Sequence, residues 1–331
     1  MRICVVGCGR VGITHIEAIK NQPRYTSLAG IVDIRKSLAK EVAEKYDTRC
    51  FSSLKEALKD PDIDAVILAL PNDFHAEATL HSAEAGKHIL VEKPMARDLN
   101  EANDMIRAAE QKNVNLMVGQ SFRYYDAIRK VKSLVESGEI GNVLNLGIIY
   151  TIFANKEMRP SWWQSEEKTG GLVYTCLGSH AIDFIQWIFE GRKVEYVCAA
   201  GRSNVEYFEG EDETNIILRF EDGASASCLL SINTEPRFKK CLIVGDKGNI
   251  SFEFKENKEG LVGMAPINLY LNGELILEET EAKNFENQLL EFANSVWQKR
   301  EPETSGKKIK SLIEIIQAAR LSSAKKCVIY V

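Results

Sequence analysis

The feature that most constrains this chain is a glycine pattern at its beginning. Residues 3–6 (Ile-Cys-Val-Val) form a short apolar run, and Gly7-Cys8-Gly9-Arg10-Val11-Gly12 follows with the spacing G-x-G-x-x-G. A helical pattern starts near Gly12 and reaches Lys20, and the next apolar run, Leu28–Val32, ends at Asp33. That carboxylate falls about 20 residues beyond the last glycine, as a dinucleotide-binding strand–turn–helix–strand unit requires. Gly7 serves the tight turn, Gly9 lets a pyrophosphate approach the backbone, and Gly12 lets helix and strand pack closely. The helix start presents N–H groups and a positive partial charge to phosphates, with Arg10 and Val11 completing the loop. Asp33 can accept from both ribose hydroxyls, which favours NAD; Arg35 leaves NADP open, because a guanidinium suits a 2′-phosphate. His15, one turn further on, reads as peripheral.

The alternation continues. A charged helix is expected over Ser37–Tyr46, a strand over Ala65–Leu70 ending at Pro71, and a helix over Phe74–Ala85 stopping at Gly86. A strand at His88–Val91, a helix at Asn100–Gln111 and a strand at Val114–Val118 follow. Strands alternating with helices of this length predict a doubly wound parallel sheet over residues 1–120. The texture then changes. After a helix at Ala127–Glu136, strand patterns dominate: Val143–Tyr150, Val194–Ala200, Asn215–Phe220, Ala224–Leu230, Cys241–Val244 and Ile250–Phe254. Asp222-Gly223 and Asn272-Gly273 are hairpin signals, the second joining Ile267–Leu271 to Glu274–Leu277. A helix is expected over Leu177–Phe189, and two more close the chain at about 284–298 and 307–324. Residues 121–331 therefore read as an α/β domain with an open, mainly antiparallel sheet, its closing helix able to pack back on the first domain.

A length of 331 residues suits two domains. With 42 Lys+Arg against 47 Asp+Glu the net charge is −5, so there is no bulk attraction for nucleic acid or anionic membranes. No apolar run approaches the ~20 residues of a bilayer span. The N-terminal run lacks a small-residue cleavage site and reads as a strand, not a signal peptide. The eight cysteines include no C-x-x-C pair, so reduced thiols in a cytoplasmic protein are expected, with neither a disulfide framework nor a metal site.

Further motifs sharpen this reading. Pro71-Asn72-Asp73-Phe74-His75 follows the third strand, and Ala85-Gly86-Lys87-His88-Ile89-Leu90-Val91-Glu92-Lys93-Pro94 spans the fourth. Gly170-Gly171 and Gly178-Ser179-His180-Ala181-Ile182-Asp183 come later. With the glycine loop, this order resembles the Gfo/Idh/MocA family of nicotinamide-dependent oxidoreductases over nearly the whole chain. The resemblance implies a Rossmann domain followed by an α/β domain. It also implies hydride transfer between the nicotinamide and a carbon bearing oxygen, on a sugar, cyclitol or related diol. It maps the family's catalytic lysine onto Lys93 and its active-site histidine onto His180. Members often carry an aspartate four residues before that histidine; Cys176 stands there in this chain. The family's Arg-aromatic pair facing substrate maps onto Arg123 and Tyr124.

The residues support that chemistry on their own terms. Oxidising an alcohol removes a hydroxyl proton as hydride leaves carbon, and the acid/base group needs a pKa near the working pH. An ordinary lysine is too basic, but a like charge at ~4 Å and an effective dielectric of ~20 costs about 4 kcal/mol. A lysine beside an oxidised nicotinamide is therefore a sensible acid/base group. His180 and Asp183, three apart on a helix, share a face, so Asp183 is expected to orient His180. Cys176 is a thiol, ordinarily uncharged at neutral pH, where a carboxylate would accept a hydroxyl. Either the substrate lacks that hydroxyl, or the proton relay runs through His180 alone, or activity is lost. Pro71, Asn72, His75 and Glu92 are expected on the cofactor side, and Arg123, Tyr124 and Trp163 on the substrate side. Of the adjacent Trp162 and Trp163, only one can face a ligand.

Three functions stay open from sequence. The leading one is an NAD-dependent dehydrogenase of a polyhydroxylated small molecule; the others are glycoside cleavage with recycled NAD, and a dinucleotide sensor without catalysis. A homodimer or homotetramer built through the second sheet is expected, because an antiparallel sheet must cover both faces.

Overall fold

The computed structural model describes residues 1–154, 157, 160–255 and 266–331, leaving aside the side chain of Pro236. The chain divides into two compact units: Met1–Ser121 with Phe285–Ser311, and Phe122–Asn284 with Leu312–Val331. The sequence drew one boundary, at residue 120, with a closing helix able to pack back on the first domain; in the structure Phe285–Ser311 belongs to the first unit.

In the first unit β1 (Arg2–Val6) leads into α1 (Arg10–Asn21) and β2 (Ser27–Val32). Then come α2 (Lys36–Lys45), the short α3 (Leu54–Ala57), β3 (Ala65–Leu68), α4 (His75–Glu84), β4 (His88–Glu92), α5 (Leu99–Gln111) and β5 (Leu116–Gly119). The strands are all parallel, in the order β2-β1-β3-β4-β5. Every residue of β3 and β5 is buried, which is why these strands carry no polar alternation. The chain leaves β1 toward one edge of the sheet and β3 toward the other. The β1/β3 pair is thus the switch point, where loops diverge at the carboxyl ends and leave a crevice. Residues after the penultimate helix seal the far edge: Val118 N–H donates to the Thr304 carbonyl at 2.8 Å, and the Thr304 hydroxyl donates to the Val118 carbonyl at 2.7 Å.

The second unit opens with α6 (Asp126–Glu136), β6 (Val143–Phe153), α7 (Glu166–Thr169) and α8 (Ser179–Ile188). The strands β7 (Val194–Arg202), β8 (Glu213–Phe220), β9 (Ser225–Ser231), β10 (Asn233–Gly245), β11 (Asn249–Phe254), β12 (Ile267–Leu271) and β13 (Glu274–Glu279) follow. Then α9 (Asn284–Trp297) lies almost wholly in the first unit, the division falls within α10 (Gly306–Lys325), and β14 (Ile329–Tyr330) ends the chain. The sheet order is β13-β12-β11-β10-β6-β9-β8-β7-β14, antiparallel throughout except for the parallel pair β6–β9. One face buries Leu146, Ile148, Ile216, Cys228 and Ile243, with α8 against β6 and β9.

Both hairpin signals form turns, of different kinds. Asn272 (φ 52°) and Gly273 (φ 86°) are both left-handed, as a two-residue type I′ turn demands. At the other, only Gly223 (φ 91°) is left-handed, closing a longer turn in which Gly223 N–H donates to the Phe220 carbonyl. β10 is much longer than the expected Cys241–Val244. Its first half is polar, and its register against β6 shifts between Asn233 and Phe238, which hid it from the period-2 pattern. The helix expected over Leu177–Phe189 is two pieces, a π-helical turn at Tyr174–Gly178 and then α8.

Candidate functional site

In the first unit the carboxyl ends of the parallel strands bring the sequence motifs to one edge. Gly7 takes φ 99°, and a Cβ there would sit 2.2 Å from the Ala69 carbonyl oxygen. The glycine loop and the loop after β3 thus touch at backbone distance. Gly9 differs: a Cβ built on it meets nothing within 4 Å. No packing reason requires glycine at that position, and open space is what a pyrophosphate approaching the backbone needs. Gly9 is also the N-cap of α1, and no side chain caps this helix start. A dinucleotide therefore fits the loop, and the first-turn amides of Arg10, Val11 and Gly12 are the groups that would meet its phosphates.

Asp33, 8% exposed, holds this loop from behind. Its Oδ2 accepts the Cys8 N–H at 2.8 Å, and its Oδ1 accepts the Arg35 N–H at 2.8 Å. The Arg35 guanidinium donates to both oxygens, at 3.0 and 3.1 Å. Burial pulls the carboxyl upward, but the bonds from Arg35 and Cys8 outweigh it and leave Asp33 below its ordinary range. The neighbouring Cys8 thiol is pushed up to about 12 by burial first and by Asp33 second, so it stays protonated and unreactive. Ile34, between Asp33 and Arg35, is 94% exposed and offers an apolar surface beside the Asp33 carboxylate. The signal for it was an isoleucine where a strand has already ended.

Lys93 follows β4 at the same edge, and the Lys93–Pro94 peptide is cis. Glu92, 8% exposed, accepts the Lys93 N–H at 3.2 Å through Oε2. Its Oε1 lies 2.7 Å from His15 Nε2. His15 is 1% exposed, with its ring edge-on to Phe285, so the peripheral role expected for it is corrected: it is a buried partner of Glu92. His75 is fully buried between two carbonyls, Pro94 at 2.8 Å from Nδ1 and Leu70 at 2.9 Å from Nε2. It was expected on the cofactor side; it ties the loop after β3 to the turn after Lys93. Asn72 is buried at the start of a short 3-10 turn that Pro71 precedes. Gln120, just after β5, is fully buried, and neither its amide nitrogen nor its amide oxygen has a hydrogen-bond partner among the described residues.

In the second unit Arg123 lies in a 3-10 turn at Ser121–Tyr124, and Asp183 is on α8. Arg123 Nε and Nη2 donate to Asp183 Oδ2 and Oδ1 at 2.8 and 2.7 Å, a two-point pair buried on both sides. The carboxylate expected to orient His180 thus carries Arg123, a partner that the three-residue spacing could not foretell. Tyr124 is fully buried under the Arg129 guanidinium. His180 is half-buried, its ring centroid 6.4 Å from Phe122 and 6.3 Å from Tyr150. Cys176 sits in the π-helical turn and is half-buried. Trp162 and Trp163 are half-buried and edge-on to each other at 6.1 Å, so their faces point differently. Among the described residues no cluster of His, Cys, Asp and Glu is placed to hold a metal ion, and no helix is long and apolar enough to cross a membrane.

Residues 1–120 match the family described as an oxidoreductase family with an NAD-binding Rossmann fold, and residues 128–251 match the Gfo/Idh/MocA C-terminal domain. Among relatives, the uncharacterized oxidoreductase YrbE of Bacillus subtilis is 28% identical over 97% of this chain and 92% of its own. The myo-inositol 2-dehydrogenase of Thermotoga maritima is 30% identical over 68% of this chain and 66% of its own. A solved levoglucosan dehydrogenase, in complex with NADH and L-sorbose, superposes with a TM-score of 0.87 at 22% identity, covering 100% of this chain and 98% of that one.

Proposed function

The chain belongs to the Gfo/Idh/MocA family of NAD-binding oxidoreductases, and from that membership we infer that it moves a hydride to or from a carbinol carbon of a sugar, cyclitol or related diol. The observation that carries this reading is the lysine at the carboxyl edge of the parallel sheet. Lys93 leaves β4 at the same edge as the open cradle at Gly9, with its backbone fixed by Glu92. NAD, when bound, supplies the hydride acceptor or donor. The glycine loop and the α1 N-terminus hold its phosphates, Asp33 holds its ribose with Arg35 beside it for a 2′-phosphate, and Pro71, Asn72 and Glu92 shape the nicotinamide side, with His75 tying their loops together. Lys93 takes the hydroxyl proton during oxidation and returns it during reduction. His180 offers a ring nitrogen to a substrate hydroxyl, and Arg123, Trp163, Cys176 and Asp183 are further candidates on the substrate side. Cys176 accepts no hydroxyl as strongly as a carboxylate would, which narrows the substrate toward one lacking a hydroxyl there.

The experiment is Lys93→Ala, assayed by nicotinamide absorbance against a panel that includes myo-inositol and levoglucosan. Turnover should fall by roughly 10²–10⁴, with NADH affinity within about twofold. Unchanged turnover overturns the acid/base assignment. NADH binding by wild type without turnover on any substrate turns the reading toward a sensor. We further propose self-association through the second sheet, whose outer face exposes Ile149, Ile217, Leu229 and Leu242. Light scattering that finds a monomer at micromolar concentration removes that part.

A further inference from the structure

We propose that the Arg35 guanidinium stands in for the adenosine ribose on Asp33, so that it gates NAD and lets the same site take NADP. This deepens the cofactor part of the hydride-transfer reading and rests on it. An ionised carboxylate offers about four lone-pair positions. At Asp33 two of them go to backbone: Oδ2 accepts the Cys8 N–H and Oδ1 the Arg35 N–H, both at 2.8 Å. The Arg35 guanidinium takes the other two, with Nε on Oδ1 at 3.0 Å and Nη2 on Oδ2 at 3.1 Å. The two backbone bonds belong to the glycine loop and to the turn after β2. What remains for a ligand is one position on each oxygen, and the guanidinium fork fills both.

A ribose diol presents two O–H donors on adjacent carbons, the same demand as that fork. NAD therefore engages Asp33 only when the guanidinium leaves. Arg35 has the room to leave: its side chain is 59% exposed, against 5% for Asp33. A 2′-phosphate reverses the choice. At neutral pH its oxygens carry few protons to donate, and a bare carboxylate would repel them. With Arg35 in place the carboxylate is neutralised, and the guanidinium still has N–H groups to give. Of its five, Nε–H and one on Nη2 go to Asp33, and the two on Nη1 meet no acceptor among the described residues. A planar fork with spare donors suits a phosphate monoester.

The test is fluorescence titration with NADH and with NADPH, on wild type, Arg35→Ala and Arg35→Lys, in about 0.15 M salt, where charges beyond about 8 Å are screened. Wild type should bind the two nucleotides within about tenfold of each other. Arg35→Ala should bind NADH about threefold more tightly, because the two positions on Asp33 fall open, and NADPH about threefold more weakly. Arg35→Lys, a compact ammonium without the fork, should fall between wild type and Arg35→Ala for NADH. Thermal melting checks that both variants fold; if Arg35→Ala does not, Arg35→Gln takes its place. NADH affinity unchanged or weakened in Arg35→Ala overturns the gate, and a wild-type preference for either nucleotide beyond about tenfold overturns the shared site. These titrations need no turnover, so failure of the hydride reading shows separately, as turnover retained by Lys93→Ala.

Discussion

Two glycines of one loop should fail in opposite ways when each gains a methyl group. Gly9 has φ −70° and ψ −177°, a conformation open to alanine, and its Cβ would meet nothing within 4 Å. Alanine there narrows the unfolded ensemble, worth roughly 0.4–1 kcal/mol. It is a poorer N-cap than glycine, which costs about as much. The two nearly cancel, so Gly9→Ala should melt within ~2 °C of wild type. Its methyl occupies the space that a pyrophosphate would enter, and NADH affinity should fall by about 30-fold or more, ~2 kcal/mol. At Gly12 a Cβ would lie 1.8 Å from the Gly7 carbonyl oxygen and 2.9 Å from its carbon. Relieving that overlap displaces backbone by more than an ångström, and overpacking of this kind costs about 1–3 kcal/mol or more. Gly12→Ala should therefore melt ~5 °C or more lower. The assays are thermal unfolding and NADH fluorescence titration. Wild-type NADH affinity in Gly9→Ala refutes the close-approach role, and a wild-type melt in Gly12→Ala refutes the packing role.

Other perturbations separate the remaining roles. Arg35→Ala uncovers Asp33 and should weaken NADPH binding about tenfold relative to NADH; equal losses for the two cofactors count against Arg35 as the phosphate-side group. Burial holds His75 below its ordinary value, against an opposing pull from the Pro94 and Leu70 carbonyls. The folded state then prefers the neutral ring, so stability is present above ~6.5 and is lost as pH falls through that value toward the depressed one. The melting-temperature gap between wild type and His75→Gln should narrow from pH 7 to pH 5, and a constant gap contradicts this. Arg123→Leu strands the buried Asp183 and should cost ~3–5 kcal/mol by urea denaturation. The double variant Arg123→Leu/Asp183→Leu should recover most of that, and a double variant as unstable as the single one refutes the stranded-charge account.

What could be read from sequence was what short-range pattern encodes. Strands buried on both faces announce themselves as unbroken apolar runs, as Ala65–Leu68 does. A backbone obligation also shows: Gly7 and Gly12 cannot carry a Cβ, and Asn272-Gly273 must be left-handed twice. Side-chain partnerships did not show, because nothing local encodes them. His15 and Glu92 are 77 residues apart, and Arg123 and Asp183 are 60 apart. The rings next to the Lys239 ammonium, Phe122, Tyr150 and Phe254, come from three separate segments, and β10 was itself half-hidden by its register shift. Gln120 carries no local signal, and only its burial makes an amide with no partner among the described residues notable.

These long-range pairs explain why the glycine loop, the Pro71–His75 turn and the Glu92–Pro94 turn act as one device. Lys93 is gripped through its neighbours on both sides. Before it, Glu92 bonds the Lys93 amide and is itself bonded by His15, which rides on the helix that the glycine loop starts. After it, the Pro94 carbonyl is held by His75, whose other ring nitrogen meets the Leu70 carbonyl at the end of the loop after β3. The residues that would bind the phosphates and the residue that would move the proton are thus joined by buried hydrogen bonds rather than by sequence. A change at His15 or His75 should accordingly shift the placement of Lys93 without touching it. That shift would appear as a loss in kcat larger than any loss in NADH affinity, whereas a merely structural role would depress the melting temperature and leave kcat of the folded fraction intact.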